Sequence, residues 1–136
     1  KLEQLTRNSL NDERVAVLGL AFKANTDDIR ESRAVVMVDY LLSREAEVAV
    51  YDPAAMGNMK QLYPDLDYAE SVESAVRGAS AVLLMTDWNE FRGMDLAHIG
   101  ELMDKKVIVD AKNLLSREQL AENGFAFEGV GRPYNG

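Results

Sequence analysis

Residues 14–33, "RVAVLGLAFKANTDDIRESR", contain the pattern that most clearly indicates the fold of this 136-residue chain. Its first seven residues are apolar apart from Arg14, which predicts a strand that is buried on both faces of a parallel sheet. Gly19 then leads through a charged loop into the apolar run "AVVMVDYLL", which predicts a helix over residues 32–46 with Ser32 as its N-cap. A strand that passes through a glycine turn into a helix is the usual beginning of a nucleotide-binding α/β unit.

The rest of the chain repeats this alternation of strand and helix. Further strands are predicted at residues 47–52, 66–68, 80–86, 105–111 and 125–131. Further helices are predicted at residues 53–64, 71–79, 95–103 and 116–124. Because the strands are apolar throughout, we expect an α/β fold: a three-layer, Rossmann-like domain with a mostly parallel sheet of about five to six strands and helices on both faces.

Composition limits the class of protein. A chain of this length is one domain with room for a sizeable core, and its 47% apolar content is typical of soluble globular proteins. No apolar run approaches the ~20 residues of a membrane span and the N-terminus does not resemble a signal peptide, so a cytoplasmic location and no membrane partner are expected. A net charge of −8 argues against nucleic acid as a partner. The sequence has no cysteine, and therefore no disulfide, thiolate metal site or cysteine nucleophile.

Polar groups follow four of the predicted strands, and ligands of an open parallel sheet bind at the carboxyl ends of its strands. The four groups are the loop at residues 22–30, Asp52, Thr86 with Asp87, and residues 110–113. A phospho-acceptor receiver domain would use similar residues, but Asp27 and Asp28 lie too far beyond the first strand. A dinucleotide site would need a G-x-G-x-x-G motif after that strand, and the motif is missing. Asp52 is accordingly interpreted as the end of a strand before Pro53.

Four segments occur in an order that resembles a known family. "VLGLAFKANTDDIRES", "EVAVYDP", "AVLLMTDWNEFR" and "KVIVDAKNLLS" together resemble the C-terminal domain of the UDP-glucose/GDP-mannose dehydrogenase family, over residues 14–133. The first and third segments are more similar to the UDP-glucose 6-dehydrogenase branch than to the GDP-mannose branch. The alternatives are a GDP-mannose or UDP-N-acetyl-sugar dehydrogenase of the same family, or a receiver-like or flavodoxin-like binding module without catalytic activity.

The resemblance implies that this chain is part of a longer enzyme, as does its start at Lys1 rather than Met. Residues 1–13 would be the end of a linker helix, and residues 14–136 the nucleotide-sugar-binding domain. In the family a preceding Rossmann half binds NAD and supplies the catalytic cysteine, and the enzyme oxidises the sugar's primary alcohol twice through a thioester, with one NAD+ for each oxidation. This chain would then contain no catalytic and no metal-binding residue. Its partners would be a UDP-sugar, its own N-terminal domain and further copies of the full-length protein.

The resemblance also assigns roles to individual residues. Phe22 and Lys23 match the family's substrate-contacting pair, and Arg30 matches an arginine that reaches NAD on the other domain. Lys112 stands where most members carry a substrate-contacting arginine, so it keeps the charge but loses the planar fork. Asp27 and Asp28 are expected to organise the loop by accepting backbone amides and fixing Lys23 and Arg30. Arg33 stands where relatives often have proline, and the change is expected to cost little.

Overall fold

The computed structural model describes residues 11–129, which form alternating strands and helices. The strands are β1 (Arg14–Leu18), β2 (Glu47–Tyr51), β3 (Asp67–Tyr68), β4 (Ala81–Leu84), β5 (Val107–Asp110) and β6 (Ala126–Gly129). The helices are α1 (Arg33–Ser43), α2 (Met56–Leu62), α3 (Val72–Val76), α4 (Asn89–Arg92), α5 (Leu96–Leu102) and α6 (Arg117–Glu122). Every strand and helix predicted from residue 14 onwards is present. The single turn α4 was not predicted, because four residues are too few to show a helical period.

The six strands form one sheet in the order β3-β2-β1-β4-β5-β6, and every pairing is parallel. This confirms the predicted Rossmann-like α/β fold. Strand order also separates it from the receiver-like and flavodoxin-like alternatives, in which β1 lies between β2 and β3. The direction in which successive strands are added reverses between β1 and β4, and this reversal is where open α/β sheets bind their ligands.

The helices lie in two layers because alternate residues of each strand point to opposite faces of the sheet. Val15 and Val17 of β1 pack on the side of α1 and α2, with Val38 and Met59. Ala16 and Leu18 pack on the other side, against α3, α4, α5 and α6. The apolar strands are therefore buried on both faces, as the sequence predicted.

Helix α1 begins where it was predicted to begin and ends three residues earlier. The Ser32 hydroxyl accepts a hydrogen bond from the Ala34 amide (3.1 Å), which confirms the N-cap. The helix ends at Ser43 because Glu45 has a φ of +62°, a left-handed conformation that no helix can continue through. The predicted linker helix at residues 1–13 lies outside the described residues up to position 10, and residues 11 and 12 form a turn instead.

Candidate functional site

Asp52 organises the carboxyl edge of the sheet, although the sequence had suggested only the end of a strand. Its carboxylate is 1% exposed and accepts five hydrogen bonds from three separate segments. One oxygen accepts from the amides of Ala54 and Ala55 at 2.7 and 2.8 Å. The other accepts from the Leu20 and Ala21 amides at 2.7 and 3.1 Å and from the Trp88 indole at 3.1 Å. Asp52 thus joins the ends of β1 and β2 to the segment that follows β4.

Gly19 allows the ends of β1 and β4 to come into contact. It has a φ of +95°, and a Cβ atom at this position would lie 2.5 Å from the Thr86 side chain. The Thr86 hydroxyl is fully buried and donates to the Ala21 carbonyl at 2.8 Å. Only glycine combines this backbone conformation with so close an approach. The chain therefore leaves β1 in a fixed direction and enters the charged loop at Phe22.

The charged loop (residues 22–31) is held together by hydrogen bonds between its own residues. The Phe22 amide donates to the Asp28 carbonyl at 3.0 Å. Arg30 donates to both carboxylate oxygens of Asp28, at 2.8–3.2 Å, and the Asp28 carboxylate also accepts the Arg30 amide at 2.9 Å. The hydrogen bonds from the Arg30 side chain, together with the one from its amide, lower the pKa of Asp28 from 3.8 to about 2. The predicted organising role is confirmed for Asp28.

The prediction that the Asp27 carboxylate accepts backbone amides was wrong. Its backbone carbonyl accepts a hydrogen bond from the Asn58 side chain at 2.8 Å, whereas its carboxylate has no hydrogen-bond partner within residues 11–129. Nor does either aspartate fix Lys23, whose ammonium lies 5.3 Å above the centre of the Phe22 ring. A cation over an aromatic face is held by the ring's electrostatic field.

A cavity of about 790 Å³ opens at the carboxyl edge, between the start of α1 and the ends of β4 and β5. We call it the edge cavity. Its apolar part is formed chiefly by Met37, Leu83, Met85 and Val109. Its charged lining residues are Glu31, Arg33 and Lys112. The arrangement suits a ligand that combines an anionic group with a less polar body.

The end of β5 presents Lys112 to this cavity through a turn built on Asp110. The Asp110 carboxylate is 4% exposed and accepts the amides of Lys112 (3.1 Å) and Leu115 (2.8 Å). Asn113 adopts the left-handed conformation, with a φ of +53°, that asparagine tolerates in tight turns. The backbone of Lys112 is therefore fixed, while its side chain is exposed.

The structure brings some of the predicted site residues together and separates one. Phe22 and Lys112 line the edge cavity, and Lys23 lies beside Phe22 without lining it. Arg30 does not line the cavity; its side chain is 88% exposed and turned towards Asp28. Asp52, Thr86 and Asp110 were noted at strand ends, but their buried hydrogen bonds were not predicted. Those of Asp52 and Thr86 join distant parts of the chain: Asp52 accepts from the Trp88 indole 36 residues away, and Thr86 donates to the Ala21 carbonyl 65 residues away.

No helix between residues 11 and 129 has the length and apolar character needed to cross a bilayer. The same part of the chain contains no group of three or more acidic or histidine side chains placed to bind a metal ion.

A parallel sheet of this order, with a cavity at its carboxyl edge, defines a Rossmann-like nucleotide-binding domain. The sequence model of the UDP-glucose/GDP-mannose dehydrogenase family, UDP binding domain, matches residues 16–117. The chain belongs to this family.

Individual relatives agree with the family match. The chain is 43% identical over 113 residues to UDP-glucose 6-dehydrogenase AglM of Haloferax volcanii. The matched region covers 83% of this chain and 26% of the relative. The structure of a UDP-glucose dehydrogenase from Pyrobaculum islandicum superposes with a TM-score of 0.80 at 34% identity, over 97% of this chain and 28% of that one. The structure of UDP-D-ManNAc dehydrogenase from Pyrococcus horikoshii superposes with a TM-score of 0.78 at 31% identity, over 96% of this chain and 28% of that one. The chain thus spans between a quarter and three tenths of the length of these relatives.

Proposed function

We propose that this chain is the nucleotide-sugar-binding domain of an NAD-dependent UDP-glucose 6-dehydrogenase, which converts UDP-glucose to UDP-glucuronate. Residues 14–136 would form this domain, and residues 1–13 would end a linker helix from an N-terminal half. The observation that carries the proposal is the edge cavity, which has Phe22 and Lys112 in its lining and Lys23 beside Phe22, in a chain that belongs to the family. Relatives of the chain are UDP-glucose 6-dehydrogenases by name.

Lys23 and Lys112 would bind the diphosphate, and Phe22 would shape the pocket beside it. The two ammonium groups follow different strands but reach the same edge of the sheet, so both can approach one ligand. Their attraction for a diphosphate grows when a second domain covers the cavity, because water then screens the charges less.

Arg30 would contact NAD held by the N-terminal half. Its exposed guanidinium lies outside the edge cavity, so it is free to face another domain rather than the nucleotide-sugar. The bond to Asp28 fixes the direction of the side chain, and donor groups of the guanidinium fork remain for a phosphate.

The catalytic cysteine would belong to the N-terminal half, because a four-electron oxidation needs a nucleophile to retain the aldehyde and this sequence has no cysteine. Two NAD+ would be consumed for each sugar oxidised. We further infer that the complete enzyme is a cytoplasmic homo-oligomer.

The test is an assay of the complete polypeptide that carries this sequence, with NAD+ and UDP-glucose. We expect two NADH for each UDP-glucose consumed, and no NADH from the purified 136-residue chain. Lys23→Ala in the complete polypeptide should weaken UDP-glucose binding by about one to two decades, as expected for a lost charge-assisted contact. Turnover by the 136-residue chain alone, or wild-type affinity in Lys23→Ala, would contradict the proposal.

A second candidate function is the same NAD-dependent oxidation with a different nucleotide-sugar as substrate. The chain is 31% identical to the UDP-D-ManNAc dehydrogenase structure, which favours a UDP-N-acetyl-sugar dehydrogenase over a GDP-mannose enzyme as the alternative. The same assay, run in parallel with UDP-glucose, UDP-N-acetyl sugars and GDP-mannose, decides between them by kcat/KM.

A further inference from the structure

The edge cavity has a second cation, Arg33, to which the sequence assigned no role in binding. Arg33 is the first residue of α1 and lines the cavity together with Lys112. Its backbone is fixed, because the Ser32 hydroxyl donates to the Leu20 carbonyl at 2.7 Å and accepts from the Ala34 amide at 3.1 Å. The position of Arg33 at the cavity is thus set by buried hydrogen bonds on its N-terminal side and by the helix on its C-terminal side.

The Arg33 side chain has no partner of its own within residues 11–129. It is exposed and forms no ion pair there, although Glu31 lines the same cavity. Two other arginines of the described chain are neutralised: Arg30 is bound to Asp28, and Arg14 to Glu47 and Asp67. Arg33 therefore keeps its full capacity to bind an anion.

Arg33 is also the first residue of α1, a position at which an arginine does not stabilise the fold. The N-terminus of a helix carries partial positive charge, so a cation there is repelled. Helix α1 has no acidic residue in its first turn to offset this repulsion. A residue that opposes local stability and has no internal partner is what one expects at a binding site.

We propose that Arg33 is a phosphate-binding residue of the edge cavity, where it and Lys112 bind the diphosphate of the nucleotide-sugar from two different elements. This inference rests on the proposed function. The planar guanidinium can donate to two phosphate oxygens at once, whereas the Lys112 ammonium acts as a compact point charge. Arg33 would in this way supply the two-pronged contact that a lysine at position 112 cannot provide.

The test is calorimetry on the complete polypeptide with UDP-glucose, UDP and uridine as ligands. Arg33→Ala should weaken UDP-glucose and UDP by the same factor, about 10- to 100-fold, and leave uridine unchanged. Arg33→Lys, which restores the charge without the fork, should lie between Arg33→Ala and wild type. The matched control is Arg77→Ala, since Arg77 is another exposed arginine without a partner in the described chain but lies towards the amino edge of the sheet.

Thermal unfolding of the same variants separates binding from folding. Because the partial positive charge at the start of α1 repels the Arg33 cation, Arg33→Ala should have a Tm equal to or above that of wild type. Wild-type affinity for UDP in Arg33→Ala, with weakened binding in Lys23→Ala, would overturn this inference and leave the proposed function intact. An equal loss for uridine and UDP would also overturn it, since the residue would then shape the cavity rather than bind phosphate. If the wild-type protein does not bind UDP at all, the proposed function fails and this inference with it.

Discussion

Asp52→Asn is the substitution that best tests how the carboxyl edge is held together. It keeps the size of the side chain and removes the charge, and it replaces one acceptor oxygen with an NH₂ group. Whichever way the amide is oriented, one set of donors then faces another donor. In the better orientation the amide oxygen faces Leu20, Ala21 and Trp88, and the NH₂ group faces the amides of Ala54 and Ala55.

At least two hydrogen bonds to a buried charged group are lost in that variant. Each such bond contributes about 1.5–3 kcal/mol, so the expected decrease in the free energy of unfolding is about 3–6 kcal/mol. This is a large part of the ~5–15 kcal/mol that stabilises a typical domain. The decrease should be larger than for most single substitutions, because the two amides are left buried without an acceptor.

The assay is urea unfolding of the 136-residue chain, monitored by tryptophan fluorescence and circular dichroism. The matched control is Asp65→Asn, which removes the same charge from an exposed aspartate without a partner in the described chain, and we expect it to stay within ±0.5 kcal/mol of wild type. A decrease below about 1 kcal/mol for Asp52→Asn would refute the view that this carboxylate joins the strand ends.

Four further predictions concern backbone strain, pH, the role of Arg30 and the cation at position 112. Gly19→Ala should cost about 2–4 kcal/mol of stability, and Gly78→Ala, with a similar φ of +74° but open space around its Cβ position, only about 1 kcal/mol; equal costs would exclude the clash. The pKa of Asp28, measured by NMR, should rise from about 2 towards 3.8 in Arg30→Ala, without reaching 3.8 because the amide of residue 30 still donates to the carboxylate. Because the folded-state pKa is depressed, the stability that this pair contributes is present above pH 4 and is lost as the pH falls towards 2. Arg30→Ala in the complete polypeptide should raise the KM for NAD+ more than that for UDP-glucose, and an equal rise would indicate a loop-organising role. Lys112→Arg should bind UDP-glucose at least as tightly as wild type by calorimetry, and loss of binding in a folded variant would show that the site depends on lysine.

The elements that the sequence predicted best are those whose own residues determine them. β1 and β4 are continuous apolar runs, and Ser32, Ser71 and Ser116 each cap the helix that follows them. The strand order and the buried carboxylates depend instead on residues that are far apart in the sequence. Nothing around Asp52 indicates that an indole 36 residues away will donate to it. The Rossmann-like class was therefore predictable, and the hydrogen bonds that position its ligand-facing edge were not.

Within the candidate site, the family resemblance singled out Phe22, Lys23, Arg30 and Lys112, and the structure places two of them in the lining of one cavity. The role proposed for Arg33 could not be predicted from a motif, because it rests on a shared cavity and a missing ion-pair partner within the described residues. Both are properties of the folded chain.

The hydrogen bonds to Asp52 have a consequence for how stiffness is distributed along the carboxyl edge. The amides of residues 20 and 21 end on a buried carboxylate at the end of another strand, so they can exchange with deuterium only when the ends of β1 and β2 separate. Residues 23–27 have few such bonds, and they form the part of this edge that can adapt its shape. The domain therefore offers a ligand a stiff platform of hydrogen-bonded strand ends, bordered by one short segment with few hydrogen bonds.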